Sequence, residues 1–252
     1  MRPAVTLLFA TLAATPAFAI SGQAPPATGF AARGIVMLID NRGDLCTATA
    51  LARDLVLTAA HCVVIPAKYR VRVFQDGAMI DVDRIRHHPG FNMANYRASR
   101  ATADLALIKL KSPLPDVVVP ATLAAPRRVE VGETLTIAGF GVTQAGTAQG
   151  LGQPRMASLA VTGRPGSLQI RLQDPATRNE RAGLGGCTGD SGAPAFDGAG
   201  PNDSGAIIGI VSWSTAPKSE EGCGGLTGLT PLLNYRDWIV TTAEALGSPL
   251  SP

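Results

Sequence analysis

Three short stretches carry side chains that could act together on a carbonyl. "LTAAHCV" puts His61 at the end of an apolar run beside Cys62, and "TADLALIKL" puts Asp104 at the mouth of another. "GGCTGDSGAP" holds Ser191 in a glycine-rich turn directly after Asp190. Each alone has an ordinary explanation: a core or loop histidine, a turn or capping aspartate, a loop serine. Together they supply the parts of an acyl-transfer site. A serine hydroxyl is a poor nucleophile until a base removes its proton, and an imidazole base works best when a carboxylate fixes its tautomer. Glycines beside the serine allow tight backbone shapes that aim neighbouring N–H groups at one point. The order His…Asp…Ser argues against an α/β-hydrolase, which runs Ser…Asp…His and needs Gly two places after the serine. Ala193 stands there instead.

The elements that must position these groups read as strands. "GIVMLID" (34–40), "DLVLTAA" (54–60), "YRVRVFQ" (69–75), "ADLALIKL" (103–110) and "ETLTIAGFG" (133–141) are short apolar or alternating runs between turn residues. "SLQIRLQ" (167–173) alternates with period two, and "GAIIGIVSW" (205–213) is a continuous apolar run that reads as buried. "SPLPDVVVP" (112–120) and "TLAAPRRVEVG" (122–132) are broken by proline and read as a connection between two halves. Only "LLNYRDWIVTTAEAL" (232–246) has helical character, with Leu233, Trp238 and Ile239 near one face. The pattern is all-β with a C-terminal helix, and the 28 glycines and 19 prolines spread along the chain suit many short strands.

Composition bounds the rest. With 252 residues, 46% hydrophobic and 16% charged, the chain can bury a sizeable core. The formal charge of +3 is too small to argue for nucleic acid, and basic residues never run beyond two. Arg2, the apolar run Ala4 to Ala14 and the small-residue pattern Ala17-Phe18-Ala19 read as an export signal over 1–19, with an uncleaved anchor as the alternative. The run is shorter than the ~20 residues that span a bilayer, and no second stretch is long enough, so a secreted or periplasmic protein free of the membrane is expected. In an oxidising compartment Cys46, Cys62, Cys187 and Cys223 become candidates for two disulfides, with three pairings open. No Cys-x-x-Cys spacing points to zinc and no calcium loop is evident, so neither metal nor cofactor is expected.

The order of the three parts, together with "LTAAHC", "DLALIKL" and "GDSGAP", closely resembles the trypsin- and chymotrypsin-like serine peptidases, over almost all of the chain after residue 19. The resemblance implies two packed six-stranded antiparallel β-barrels, one over 20–125 with His61 and Asp104, one over 126–252 with Ser191 and the helix. It implies pairing of Cys46 with Cys62, worth about 3 kcal/mol for so short a loop, and of Cys187 with Cys223. Ser191 would be the nucleophile, His61 the general base and acid, Asp104 its orienting partner, and Ser212 the hydrogen-bond donor to Asp104. The N–H groups of Gly189 and Ser191 would form the oxyanion hole, and Ser212, Trp213 and Ser214 would pair with a polypeptide substrate as an added strand. A monomer is expected, with a protein inhibitor as a conceivable second partner. His87 and His88, in "RHHPGF", read as a surface loop without chemistry.

Specificity and activation depart from the family pattern. Gly185 stands where a trypsin carries the aspartate that binds Arg or Lys, and Ser214 and Thr227 occupy the wall positions, with Gly228 as the alternative to Thr227. A small or medium apolar residue before the cleaved bond is therefore expected, unless Glu220 or Glu221 of the loop "STAPKSEEGC" reaches the pocket. In the family a new N-terminus folds inward and its ammonium pairs with the aspartate before the nucleophile. Ile20-Ser21-Gly22-Gln23 resembles that start, with Asp190 as the carboxylate, whereas Ile35 in "RGIV" lies too near Cys46 for the cut. Cleavage after Ala19 would then activate the protein with no separate zymogen step. Two other readings stay open: a catalytically silent relative that binds without cleaving, and an esterase using the same three residues.

Overall fold

The computed structural model describes residues 20–164, 167–198 and 205–250; the expected signal, 1–19, lies outside them. Six antiparallel strands close the first barrel in the order β1-β2-β3-β6-β5-β4. They are β1 (Ile35–Asp40), β2 (Leu45–Ala52), β3 (Leu55–Thr58), β4 (Tyr69–Arg72), β5 (Met79–His87) and β6 (Ala106–Leu110). The second barrel closes as β8-β9-β10-β13-β12-β11, from β8 (Thr134–Gly139), β9 (Arg155–Gly163), β10 (Ile170–Gln173), β11 (Pro194–Asp197), β12 (Ala206–Ser214) and β13 (Leu226–Pro231). The connector strand β7 (Thr122–Leu123) joins it at the edge, parallel to β12. Among the described residues the α-helices are α1 (Gly29–Arg33), α2 (Met93–Arg97) and α3 (Arg236–Ala245).

The strands that read as continuous apolar runs do so because both of their faces are buried. On β1, Val36 and Leu38 fill the first barrel while Ile35 and Met37 pack across the seam. On β6 Ala106, Ile108 and Leu110 point inward, while Leu107 and the preceding Leu105 reach the seam. From the other side Phe140, Phe196, Ile207 and Ile210 complete this seam cluster, and Leu232, Tyr235, Ile239, Ala243 and Leu246 cap it. Leu135, Ile137, Leu159, Leu172 and Leu229 fill the second barrel.

Three sequence expectations need correction. The C-terminal segment is a 3-10 turn (Leu232–Tyr235) before α3. At three residues per turn Leu232 and Tyr235 share the buried side, and Leu233 is turned out to solvent. The segment 20–26, counted with the first barrel, bridges instead to the second, Ser21 to Gly185 and Pro26 to Arg155. His87 and His88 are not a bare loop. His87 ends β5 with Nε2 3.1 Å from the Val63 carbonyl. His88 packs edge-to-face with Tyr235 and Trp238, at 4.9 and 5.0 Å between ring centres, tying the first barrel to the C-terminal segment.

Candidate active site

β3 delivers its chain into a 3-10 turn, Ala60–Cys62, that carries His61 into the crevice between the barrels. The Cys46–Cys62 disulfide fastens that turn to β2. Asp104 lies just before β6 and is 1% exposed. Three donors satisfy its carboxylate: the His61 backbone N–H to Oδ1 at 2.9 Å, His61 Nδ1 to Oδ2 at 2.8 Å, and Ser212 Oγ to Oδ2 at 2.6 Å. A buried carboxylate that receives Nδ1–H fixes the imidazole tautomer and leaves Nε2 as the basic nitrogen.

Ser191 follows from a turn that only glycine permits. A Cβ on Gly192, at φ +81°, would lie 2.2 Å from Thr58 Oγ1 and 2.3 Å from the Thr47 carbonyl. Gly189, at φ +96°, would press its Cβ to 2.9 Å from Gly141 Cα. The Asp190 N–H donates to the Cys187 carbonyl and the Gly192 N–H to the Val211 carbonyl. Among the described residues the N–H groups of Gly189 and Ser191 between them donate to nothing, which leaves two donors for a ligand oxygen. Thr47, from the first barrel, holds the turn from the far side: its Oγ1 donates to the Gly189 carbonyl at 2.9 Å and its N–H to the Ser191 carbonyl at 2.9 Å. The Cys187–Cys223 disulfide closes the other side. Ser191 and His61 line one crevice of about 790 Å³. Among the described residues no hydrogen bond yet joins the serine hydroxyl to Nε2, a contact that in unliganded sites often tightens only with substrate.

Asp190 is fully buried and accepts from the N–H groups of Gly141 and Cys187, at 2.8 and 2.9 Å. Those two bonds do not offset its removal from water, and burial pushes the carboxyl up to about 7. No cation pairs with it among the described residues. Ile20 is also fully buried, in the cluster that contains Ala193, and Ser21 donates its N–H and Oγ to the Gly185 carbonyl. Ile20 has φ +53°, a left-handed conformation that strains a β-branched residue.

The strand register separates Thr227 from Gly228. Ser214 pairs with Thr227, while Gly228 pairs with Trp213, whose ring covers it so closely that no Cβ fits. Thr227 Oγ1 accepts the Gly186 N–H at 2.9 Å and would lie 3.2 Å from a Cβ on Gly185. Glu221 lines the crevice; Glu220 does not.

Sequence reading missed Tyr96. Its ring stacks on His61 at 4.4 Å and 15°, and its hydroxyl donates to the Ser212 carbonyl at 3.3 Å. Burial, then the nearby Asp104 carboxylate, raises the phenol well above its ordinary range. The surrounding "FNMANYRASR" has no apolar period to flag it; the usable signal is local, Asn92 capping α2 by accepting the Asn95 N–H. The one His/Cys grouping among the described residues, Cys46, His61 and Cys62, offers no metal site, because both sulfurs are joined in the disulfide.

A family model described as trypsin matches residues 20–239. Snake venom serine protease rhinocerase 4 of Bitis rhinoceros is 27% identical over 220 residues, covering 82% of this chain and 81% of that protein. The vitellin-degrading protease of Bombyx mori is 28% identical over 217 residues, covering 77% and 74%. In structure the chain resembles neuropsin, a serine protease expressed in the limbic system of mouse brain, with TM-score 0.69 and 24% identity over 87% of this chain and 98% of that one. That likeness bears on the fold alone. Among the described residues no helix is long and apolar enough to cross a membrane.

Proposed function

The chain belongs to the trypsin family, and from that membership we propose that it is an exported serine endopeptidase, secreted or periplasmic, acting as a monomer. The observation that carries the reading is the convergence of His61 Nδ1, the His61 N–H and Ser212 Oγ on Asp104, at a crevice lined by Ser191. His61 Nε2 takes the Ser191 proton as Oγ bonds to the scissile carbonyl carbon, and the carbonyl oxygen gathers negative charge between the N–H groups of Gly189 and Ser191. The imidazolium, held by Asp104, gives that proton to the leaving amine as the C–N bond breaks. Water then attacks the acyl-enzyme with His61 again as base. No cofactor is required.

The pocket supports a small or medium apolar residue before the cleaved bond. Gly185 adds no charge at its base and the Thr227 hydroxyl is already engaged by the Gly186 N–H; Glu221, which lines the crevice, is the residue that would bring in Arg or Lys instead. A protein inhibitor would occupy the same crevice. For activation, release of the Ile20 amino group after Ala19 would supply the cation that Asp190 lacks, and would remove the φ constraint on Ile20.

Labelling with a fluorophosphonate, followed by assay on peptides and esters, tests the assignment. The reagent should label the native protein and not Ser191→Ala, which should turn over peptides about a million-fold more slowly. An unlabelled native protein would support the silent reading, and ester cleavage without peptide cleavage would support the esterase.

A further inference from the structure

A second cleft, of about 480 Å³, opens from the catalytic crevice and shares Tyr96, Ser212, Trp213 and Ser214 with it. Three arginines line it: Arg97 at the end of α2, Arg100 in the following loop, and Arg171 on β10. All three are exposed, Arg171 because it alternates with the inward Ile170 and Leu172. No carboxylate lines the cleft. Elsewhere the arginines that carry ion pairs sit beside acids, as Arg42 does with Asp40 and Asp44, Arg127 with Glu133 and Asp197, and Arg164 with Glu130. Among the described residues Arg97, Arg100 and Arg171 have neither an ion pair nor a side-chain hydrogen bond. Three like charges thus face one hollow with nothing of opposite sign to offset them.

The location assigns the hollow to the substrate's acyl side. On the side of β11, backbone bonding to β12 ends at Val211, so residues 212–214 present an edge outside the sheet to which an extended chain can add, with the Tyr96 hydroxyl at its start on the Ser212 carbonyl. With one residue over Gly185 and its carbonyl at Ser191, the preceding residues run along that edge past Trp213 and Ser214. At about 3.3 Å per residue they reach the cleft within two to four positions. We propose that this cleft selects substrates with acidic side chains two to four residues before the cleaved bond, the carboxylates being held by Arg97, Arg100 and Arg171. The proposal rests on the endopeptidase reading above.

Two internally quenched peptides test it, identical except for Glu-Glu or Gln-Gln at the third and fourth residues before the bond. The Glu peptide should be favoured about tenfold in kcat/KM at low salt, as expected for two partly exposed ion pairs. That ratio should approach one in about 0.5 M salt, where screening shortens the reach of the charges. It should also collapse in the triple variant Arg97→Gln, Arg100→Gln, Arg171→Gln and persist in the corresponding triple lysine variant. A ratio of one in the native protein, or one unchanged by the triple Gln variant, overturns the proposal. Fluorescence anisotropy of the labelled peptides on Ser191→Ala protein reads the cleft without turnover. Tighter binding of the Glu peptide upholds charge selection even if no peptide is cleaved, an outcome that would sink only the endopeptidase reading. Equal binding of the two peptides sinks the selection itself.

Discussion

Asp190 makes the proposed activation measurable as a stability. Compare protein beginning at Ile20 with protein carrying one extra Ala before it, both as Ser191→Ala to prevent self-digestion. In the extended form Asp190 has no cation, and its carboxyl, ordinarily at 3.8, stands at about 7. A raised acid pKa means that the native state holds its proton while the unfolded chain releases one. The contribution of this group to stability is therefore full below about pH 4, falls as pH rises towards 7, and is level above. The shift corresponds to a loss of about 4 kcal/mol, at 1.36 kcal/mol per pKa unit. With the Ile20 ammonium beside it the carboxylate stays ionised at little cost. That loss should then be absent until the amino group itself deprotonates above its ordinary value of about 8. Freed from the preceding peptide bond, Ile20 should add the order of 1–3 kcal/mol of released backbone strain at every pH. Urea unfolding at about pH 4.5 and 7.5 reads both effects. Between about pH 4.5 and 7.5 we expect the extended form to lose most of that ~4 kcal/mol relative to both the Ile20-start form and extended protein with Asp190→Asn. Equal slopes in the first two would refute the reasoning.

Other outcomes follow from particular contacts. Ser212→Ala leaves Asp104 one donor short, and should cost about 1–3 kcal/mol of transition-state stabilisation, read as a fall in kcat with KM little changed. Tyr96→Phe keeps the stack on His61 but frees the Ser212 carbonyl for a substrate N–H, so KM should fall, by up to about tenfold. Tyr96→Ala should lower kcat by releasing the imidazole ring. Gly192→Ala forces a Cβ against Thr58 and the Thr47 carbonyl and should destabilise the protein by more than about 3 kcal/mol in urea unfolding, abolishing activity with it.

The sequence was most legible where burial is two-sided. β1, β3, β6 and β12 announce themselves because one face fills a barrel and the other the seam. β2 was hidden by its small residues, "LCTATALA", and β5 by its charges, "MIDVDRIRH", most of which face solvent. β13 was hidden by Gly228 and Pro231; the glycine exists to make room for Trp213. His61, Asp104 and Ser191 were readable from motifs, because each sits where a strand meets a turn whose glycines or apolar neighbours are fixed by geometry. Tyr96 was not, since its place over His61 depends on how a loop packs rather than on any spacing. The three arginines likewise come from two distant segments, Arg97 and Arg100 beside Tyr96 and Arg171 on β10, and only the fold puts them around one hollow.

The seam between the barrels has a consequence for when the protein can be dangerous. On the proposed roles, His61 and Asp104 belong to one half and Ser191 and Ser212 to the other, with Thr47 reaching across to hold the Gly189 and Ser191 carbonyls. Neither half owns both a nucleophile and a base. A chain emerging from a ribosome or a pore is harmless for as long as its second half is incomplete or undocked, whatever the state of its first. On those roles neighbouring proteins are exposed to cleavage only once the apolar seam has closed, so that folding itself, together with the proposed release of Ile20, sets the first moment of activity.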